Sequence, residues 1–280
     1  MHILRPALSI WKEAVVRYWQ DNGARRAAAL SFYMLFSLPA LLILMTSIVG
    51  LTADTATIVA VLIDRLDPVM GQEAARQVSL IAAQSIRPSF ENVLIGLVNL
   101  ALLIVSGLWA FLEVQTSLNE IWDIPTSPDE QRFGAWATHF GRQLAGFTVM
   151  VGAALFLMAF FVASLQLYYA IMPSSYVGAI LLDSSLSVIA VTILLGVLYH
   201  TAPNRLIPWR PAIIGAVVTG LLFAPAKTLI SIFLQAAALQ STYGAASSLV
   251  LLLIWIYYLS AIFYLGAEFT GVLLRRHERT

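Results

Sequence analysis

The sequence predicts an all-α polytopic membrane protein, a bundle of six transmembrane helices preceded by an N-terminal amphipathic helix, with both termini in the cytoplasm. Three observations carry this. Of 280 residues, 60% are hydrophobic and only 11% charged, with a mean hydropathy of +0.83, whereas soluble domains carry about a quarter charged residues. Six apolar stretches reach the roughly 20 residues that a helix needs to cross about 30 Å of hydrocarbon. Lysine and arginine are spread unevenly over alternate sides of those stretches, as membrane topology demands.

The elements follow in order along a single membrane domain, 1–280. Residues 1–26 form a cytoplasmic segment in which "LSIWKEAVVRYWQDNG" gathers Leu8, Trp11, Val15, Tyr18 and Trp19 on one side, with Lys12 and Arg17 elsewhere. That pattern predicts a helix lying in the membrane interface, with a partner-docking helix as the sharper alternative. No compact basic, apolar and small-residue series precedes the first long apolar run, so the segment is expected to stay attached. The spans are placed near 27–51, 93–113, 144–170, 177–200, 212–236 and 245–274. The last is long enough for its final turns to emerge into the cytoplasm or to tilt. Residues 52–92 form an extracytoplasmic helical loop. There Ile58, Val61, Leu62, Arg65 and Leu66, then Gln72, Arg76 and Ser79, recur at the spacing of one or two short amphipathic helices.

Orientation rests on the basic residues. With the N-terminus inside, the inner segments hold Arg5, Lys12, Arg17, Arg25, Arg26, Arg132, Arg142, Arg205, Arg210, Arg275, Arg276 and Arg279. The outer segments hold Arg65, Arg76 and Arg87, and Lys227 lies within a span. Twelve against three puts both termini in the cytoplasm. The same bias explains Arg25-Arg26 and Arg275-Arg276 as topology signals and headgroup anchors rather than a nucleic-acid surface.

Polar residues inside spans are the candidate functional residues. Lys227 shares a helical face with Ala216, Gly220, Ala224 and Ser231, and small residues at that spacing let another helix approach, so the lysine is expected to point inward. Pro225 predicts a kink and a freed carbonyl at Leu221. Lys227 lies roughly 24 Å along its helix from Pro211, and Asp183 roughly 8 Å into the fourth span from its outer end at Gly178. Matching depths suggest an Asp183–Lys227 ion pair; snorkelling of the lysine to the outer headgroups is the alternative. Asn99, Ser106 and Glu113 recur every seven residues, close to two turns, and line one face of the second span. Glu113 and Glu268, the latter on a face with Tyr257, Ala261 and Tyr264, fall near the cytoplasmic boundary. Close to Arg25, Arg26, Arg205 and Arg210, they suggest a polar gate or an anionic headgroup site, against ordinary interfacial salt bridging.

Other chemistry is missing. There is no cysteine, so no disulfide, thiolate metal site or thiol nucleophile. The four histidines, His2, His139, His200 and His277, lack metal-ligand spacing, and no Gly-rich phosphate loop occurs. Glu120, Asp123, Asp129 and Glu130 surround Pro125 and Pro128, where an ordinary solvated turn competes with a cation site. No nucleophile, base and orienting group come together, so the chain is expected to be no enzyme and to need no cofactor or metal. No internal repeat stands out, which weighs slightly against a transporter built from inverted halves.

Three blocks, in order, resemble the YihY/BrkB family of bacterial inner-membrane proteins. They are "ARRAAALSFYMLFSLPALLIL" in the first span, "SLNEIWDIP" after the second, and a C-terminal third. That third runs from "YHTAPNRLIPWRPAIIGAVVTGLLFAPAKTLISIFLQ" through "STYGAASSLVLLLIWIYYLSAIFYLGAEFTGVLLRR". The family's motif residues correspond to Asn119, Tyr243-Gly244 and Trp255 to Phe269. The resemblance implies six membrane helices. Members have carried the label ribonuclease BN, an attribution regarded as mistaken; others are called virulence factors or linked to movement of lipid or lipopolysaccharide precursors. The expected function is transport-related, with an anionic lipid or a lipopolysaccharide precursor as the cargo and the inward polar stripe of the second, fifth and sixth spans as its path. A non-transporting scaffold or envelope-assembly factor is the alternative, and a ribonuclease comes third. The expected partners are membrane lipids, and a second copy or an envelope protein, with no nucleic acid.

Overall fold

The computed structural model describes residues 4–49, 92–125, 148, 151–152, 155, 176–236 and 247–277. Among them the regular structure is entirely helical: α1 (Leu4–Gln20), α2 (Gly23–Val49), α3 (Asn92–Ile121), α4 (Tyr176–Thr201), α5 (Trp209–Ala236) and α6 (Ser247–His277). The outer loop 52–92 up to Glu91, the third span at 144–170 apart from four residues, Asp129, Glu130 and the Tyr243-Gly244 turn lie outside the described residues. Among those described, Leu252–Arg276, 25 residues of mean hydropathy 1.6, is long and apolar enough to cross a bilayer. Val188–Thr201 and Trp209–Phe223 are shorter apolar stretches.

Helix ends are set by local chemistry. α1 stops where Asn22 takes a positive φ of 56°, and the Asn22 carbonyl then accepts from the N–H groups of Arg25 (2.9 Å) and Arg26 (3.2 Å) to begin α2. Gly23 follows because the Tyr18 ring lies where its Cβ would be. α3 runs past the end of the expected span at 113, since Phe111, Val114, Leu118 and Ile121 continue a buried helical stripe. It closes with Asp123 at φ 53°, the Ile124 N–H bonded to the Asn119 carbonyl (2.8 Å) and the Asp123 N–H to that of Glu120 (3.2 Å). This is a Schellman cap with aspartate in the position usually held by glycine, and Pro125 follows it. α5 continues through Pro225.

The chain divides into two compact units. The first is Met1–Arg26, Phe111–Ala224 and Ala261–Thr280; the second is Ala27–Ala110 and Pro225–Ser260. In the first, α1 lies on α6: Ala14, Phe269 and Val272 form a small core flanked by Ile10 and Trp11, whose ring centroid is 5.3 Å from that of Phe269. This corrects the expected single apolar face of α1. Trp11 and Tyr18 turn toward the protein, whereas Leu8 (71% exposed), Val15 and Trp19 (68% exposed) face out. At 100° per residue the five residues cover an arc wider than one helix contact, so the packing divides them into two adjacent stripes.

α5 and α6 meet through a reciprocal arrangement of glycine and threonine. A Cβ on Gly215 would collide with Thr270, and one on Gly266 with Thr219. Each threonine folds its hydroxyl back on its own helix, Thr219 Oγ1 donating to the Gly215 carbonyl (2.7 Å) and Thr270 Oγ1 to that of Gly266 (2.8 Å). The order of the pairs is antiparallel, and glycine at these positions is what lets the backbones come close. On the neighbouring face of α5, Gly220 meets Thr192 Oγ1 and Ala216 meets Gly196, both on α4. Ala216 and Gly220 belong to the small-residue face expected to pack on protein, and both are buried. Outward, Ile213, Ile214, Val217 and Leu221 of α5 and Ile189 and Ile193 of α4 are exposed.

In the second unit, Tyr33 of α2 stacks on Trp109 of α3, 6.2 Å between centroids and 18° between planes. Phe32, Phe36, Ile104, Val105 and Trp109 are exposed there. The Ser31 and Ser37 hydroxyls are spent on their own helix, donating to the carbonyls of Ala28 (2.8 Å) and Met34 (2.9 Å).

Candidate functional site

The first unit exposes isoleucine and valine on its outside and holds a set of polar side chains among its buried apolar ones. Buried there are Gln115, Ser117, Asn119, Tyr199, Thr219, Glu268 and Thr270. Most are bonded, as burial requires. Tyr199, fully buried, donates its hydroxyl to the Phe263 carbonyl (2.8 Å) and lies 3.3 Å from Thr219 Oγ1. The Trp122 indole N–H donates to the Ala267 carbonyl at 2.8 Å, and Gly271, one turn on, leaves the space through which the indole passes. Thus two aromatic donors, from α4 and from the cap of α3, reach α6 carbonyls one turn apart.

The α4–α5 connection is fixed from α3. Gln115 Nε2 donates to the Ala202 carbonyl (2.9 Å), and Asn119 Oδ1 accepts the Asn204 N–H (2.9 Å). His200 Nδ1 donates to the Ile207 carbonyl (2.5 Å) and its ring stacks on Trp209 at 3.9 Å. The segments "LNEIW", "YHTAPNRLIPW" and "FYLGAEF", far apart in the chain, therefore interlock.

Charges gather around this assembly. Arg26 Nη2 lies 2.6 Å from Glu120 Oε2, and its Nε donates to the Asp21 carbonyl (2.8 Å). Arg276 reaches Ser9 Oγ (3.1 Å) and Glu13 Oε2 (3.4 Å), tying the end of α6 to α1. Arg275 Nη1 donates to the Ile121 carbonyl (3.2 Å) and lies 3.4 Å from Asp123 Oδ2, so it serves the C-terminus of α3. Its Nε and Nη2 are buried with no partner among the described residues. Neither oxygen of Glu268, only 1% exposed, has one either. Glu113 accepts from Ser117 Oγ (3.2 Å), and the Tyr264 hydroxyl is buried without a hydrogen-bond partner among the described residues.

Of the residues singled out from sequence, Glu113, Glu268 and Arg26 fall in this unit and at this polar assembly. Arg25, Arg205 and Arg210 belong to the same unit and are exposed, whereas Arg26 is committed to Glu120. Ser106 is buried in the second unit. Asn99, Asp183 and Lys227 lie on α3, α4 and α5, with side chains outside the described residues, so the Asp183–Lys227 pair does too. Glu120 and Asp123, weighed as cation ligands, are each engaged by an arginine. Sequence reasoning did not single out Gln115, Tyr199, Asp21 or the threonine pair for the site. The Gly-x-x-x-Thr spacing shared by 215–219 and 266–270 was the available signal for the last.

Residues 14–280 match the model of the family described as Virulence factor BrkB. Over 278 residues the chain is 25% identical to a UPF0761 membrane protein of Alcanivorax borkumensis, covering 95% of this chain and 61% of the relative. A UPF0761 membrane protein of Azotobacter vinelandii is 23% identical over 94% of this chain and 62% of its own length. One from Chromobacterium violaceum is 34% identical over a shorter region, 34% of this chain and 23% of the relative. The chain thus spans about three fifths of the length of the first two relatives. No solved structure matches it.

Proposed function

The chain belongs to the Virulence factor BrkB family of membrane proteins, and on that premise we propose that it is a transport-related protein of the bacterial inner membrane that handles an anionic lipid. In this reading six helices span the bilayer with both termini cytoplasmic, and the polar assembly of the first unit lies at the cytoplasmic end, where the basic residues concentrate. The observation that carries it is the unspent polar capacity inside: the Glu268 carboxylate and the Arg275 Nε and Nη2 are buried without partners among the described residues. A membrane protein whose buried polar groups served packing alone would satisfy them internally. A lipid phosphate offers acceptors to guanidinium groups, and exposed Arg25, Arg205 and Arg210 provide basic charge on the same unit. The reading assigns the chain no chemical reaction, no cofactor and no metal.

The test is movement of fluorescent phosphatidylglycerol between leaflets of reconstituted vesicles. Wild type is expected to exceed protein-free vesicles, and Glu113→Ala, Lys227→Ala and Glu268→Ala to bring the rate back toward that background. Equal rates in all four proteins at equal reconstitution would defeat the proposal. A second reading, a scaffold that recruits an envelope protein or a second copy, is favoured by the outward Leu8, Val15 and Trp19 of α1. Crosslinking through Trp19 in native membranes would trap a stable partner under that reading and only lipid under the first.

A further inference from the structure

The arginines of the first unit divide by what they meet. Arg17, Arg26, Arg275 and Arg276 each face an acidic side chain, at 3.6, 2.6, 3.4 and 3.4 Å. Arg205 and Arg210 are exposed and meet no acid among the described residues. The chain offers none nearby in sequence, since no aspartate or glutamate occurs between Asp183 and Glu268. Both arginines belong to the connection from α4 into α5, where Leu206 is 65% and Trp209 51% exposed. That connection is held in one shape from beneath. Gln115 and Asn119 bond its backbone at Ala202 and Asn204, His200 bonds the Ile207 carbonyl, and the Ile207 side chain is buried. The His200 ring also stacks on the Trp209 indole. From Trp209 an exposed apolar stripe continues along α5 through Ile213, Val217 and Leu221, at steps of four. The indole therefore stands where that stripe ends and the two unpaired cations begin.

We propose that the α4–α5 connection is a binding site for an anionic phospholipid, with Arg205 and Arg210 on the headgroup and Leu206 and Trp209 against the glycerol and the upper acyl chain. Indole settles at the level between hydrocarbon and water, and guanidinium donates to phosphate oxygens in pairs. A zwitterionic lipid carries the same phosphate but adds an ammonium that the arginines repel, so a net anion binds better. Because the backbone is already fixed, binding orders side chains alone and loses little conformational freedom. The proposal rests on the transport reading for the anionic class of lipid, yet it concerns contact and not movement: a bound anion in a chain that moves no lipid keeps this site and rejects that reading.

Fluorescence quenching by brominated lipid tests this in the full chain, reconstituted in phosphatidylcholine vesicles with a small fraction of brominated phosphatidylglycerol or brominated phosphatidylcholine. Bromine quenches an indole only on contact, and subtracting Trp209→Phe isolates Trp209 among the seven tryptophans. The Trp209 component is expected to favour brominated phosphatidylglycerol by about fivefold for each arginine engaged. Arg205→Gln with Arg210→Gln is expected to abolish that preference and to leave quenching by brominated phosphatidylcholine as it was. Equal quenching by the two lipids in the wild type would overturn the proposal, and so would a preference that survives in the double variant. A Trp209 component that neither lipid quenches would put the indole against protein or water, and would sink it as well. Should Trp209→Phe not fold, native mass spectrometry decides: wild type is expected to retain more phosphatidylglycerol than the arginine variant, and equal retention overturns the proposal.

Discussion

Asn119 shows how one side chain in a helix terminus positions a distant segment. It is buried, its carbonyl closes the cap of α3, and its side-chain oxygen takes the Asn204 N–H. Asn119→Ala leaves that N–H without its acceptor and is expected to cost about 1–3 kcal/mol, the range for an orphaned buried polar group. Thermal denaturation in detergent would show it as a lowered midpoint, with the exposed Thr116→Ala as an unaffected control. The sequence marks Asn119 through its motif but not its partner, because a contact across 85 positions leaves no local pattern. The same holds for Glu268: its place toward the end of an apolar run is readable, whereas its complete burial without a partner among the described residues depends on how the helices pack. Tyr199 went unnoticed because a tyrosine in an apolar run reads as an interfacial aromatic, and only the bond to Phe263 reveals it as a buried strut.

At the scale of elements, the α5–α6 contact makes a sharp prediction. Gly215→Ala places a methyl against Thr270 and is expected to destabilise by about 1–3 kcal/mol, as overpacking does. Thr270→Ala in the same chain should recover much of that loss, while Thr219→Ala should not, since Thr219 opposes Gly266. A cycle of denaturation midpoints measures both; equal rescue by either threonine would refute the pairing. For α1, the outward stripe predicts contact with the bilayer interface. Spin labels at Leu8→Cys and Trp19→Cys should relax more with dissolved oxygen than with a water-soluble nickel chelate, and the reverse order would count against it. Among the described residues, α2 to α6 overlap the apolar runs expected near 27–51, 93–113, 177–200, 212–236 and 245–274, because such runs are long enough to favour helix over strand. The division of α1 into two faces was not, because amphipathic periodicity says how wide the apolar arc is and not how many neighbours share it.

For the molecule as a whole, the basic residues predict sidedness, and the absence of cysteine makes that easy to measure. A thiol introduced at Arg205→Cys should react with an impermeant maleimide only when the cytoplasmic face is accessible, and one at Arg76→Cys only from the opposite side. Identical labelling from one side would overturn the six-span arrangement. The class of the molecule was readable from composition, and the polar side chains enclosed beneath an apolar exterior appear only when the helices pack. One consequence follows from the two aromatic donors on α6. Hydroxyl and indole grip its backbone at Phe263 and Ala267, so twisting that helix about its long axis would release both at once. It is the keel of this unit, braced from α4 and from the end of α3 alike.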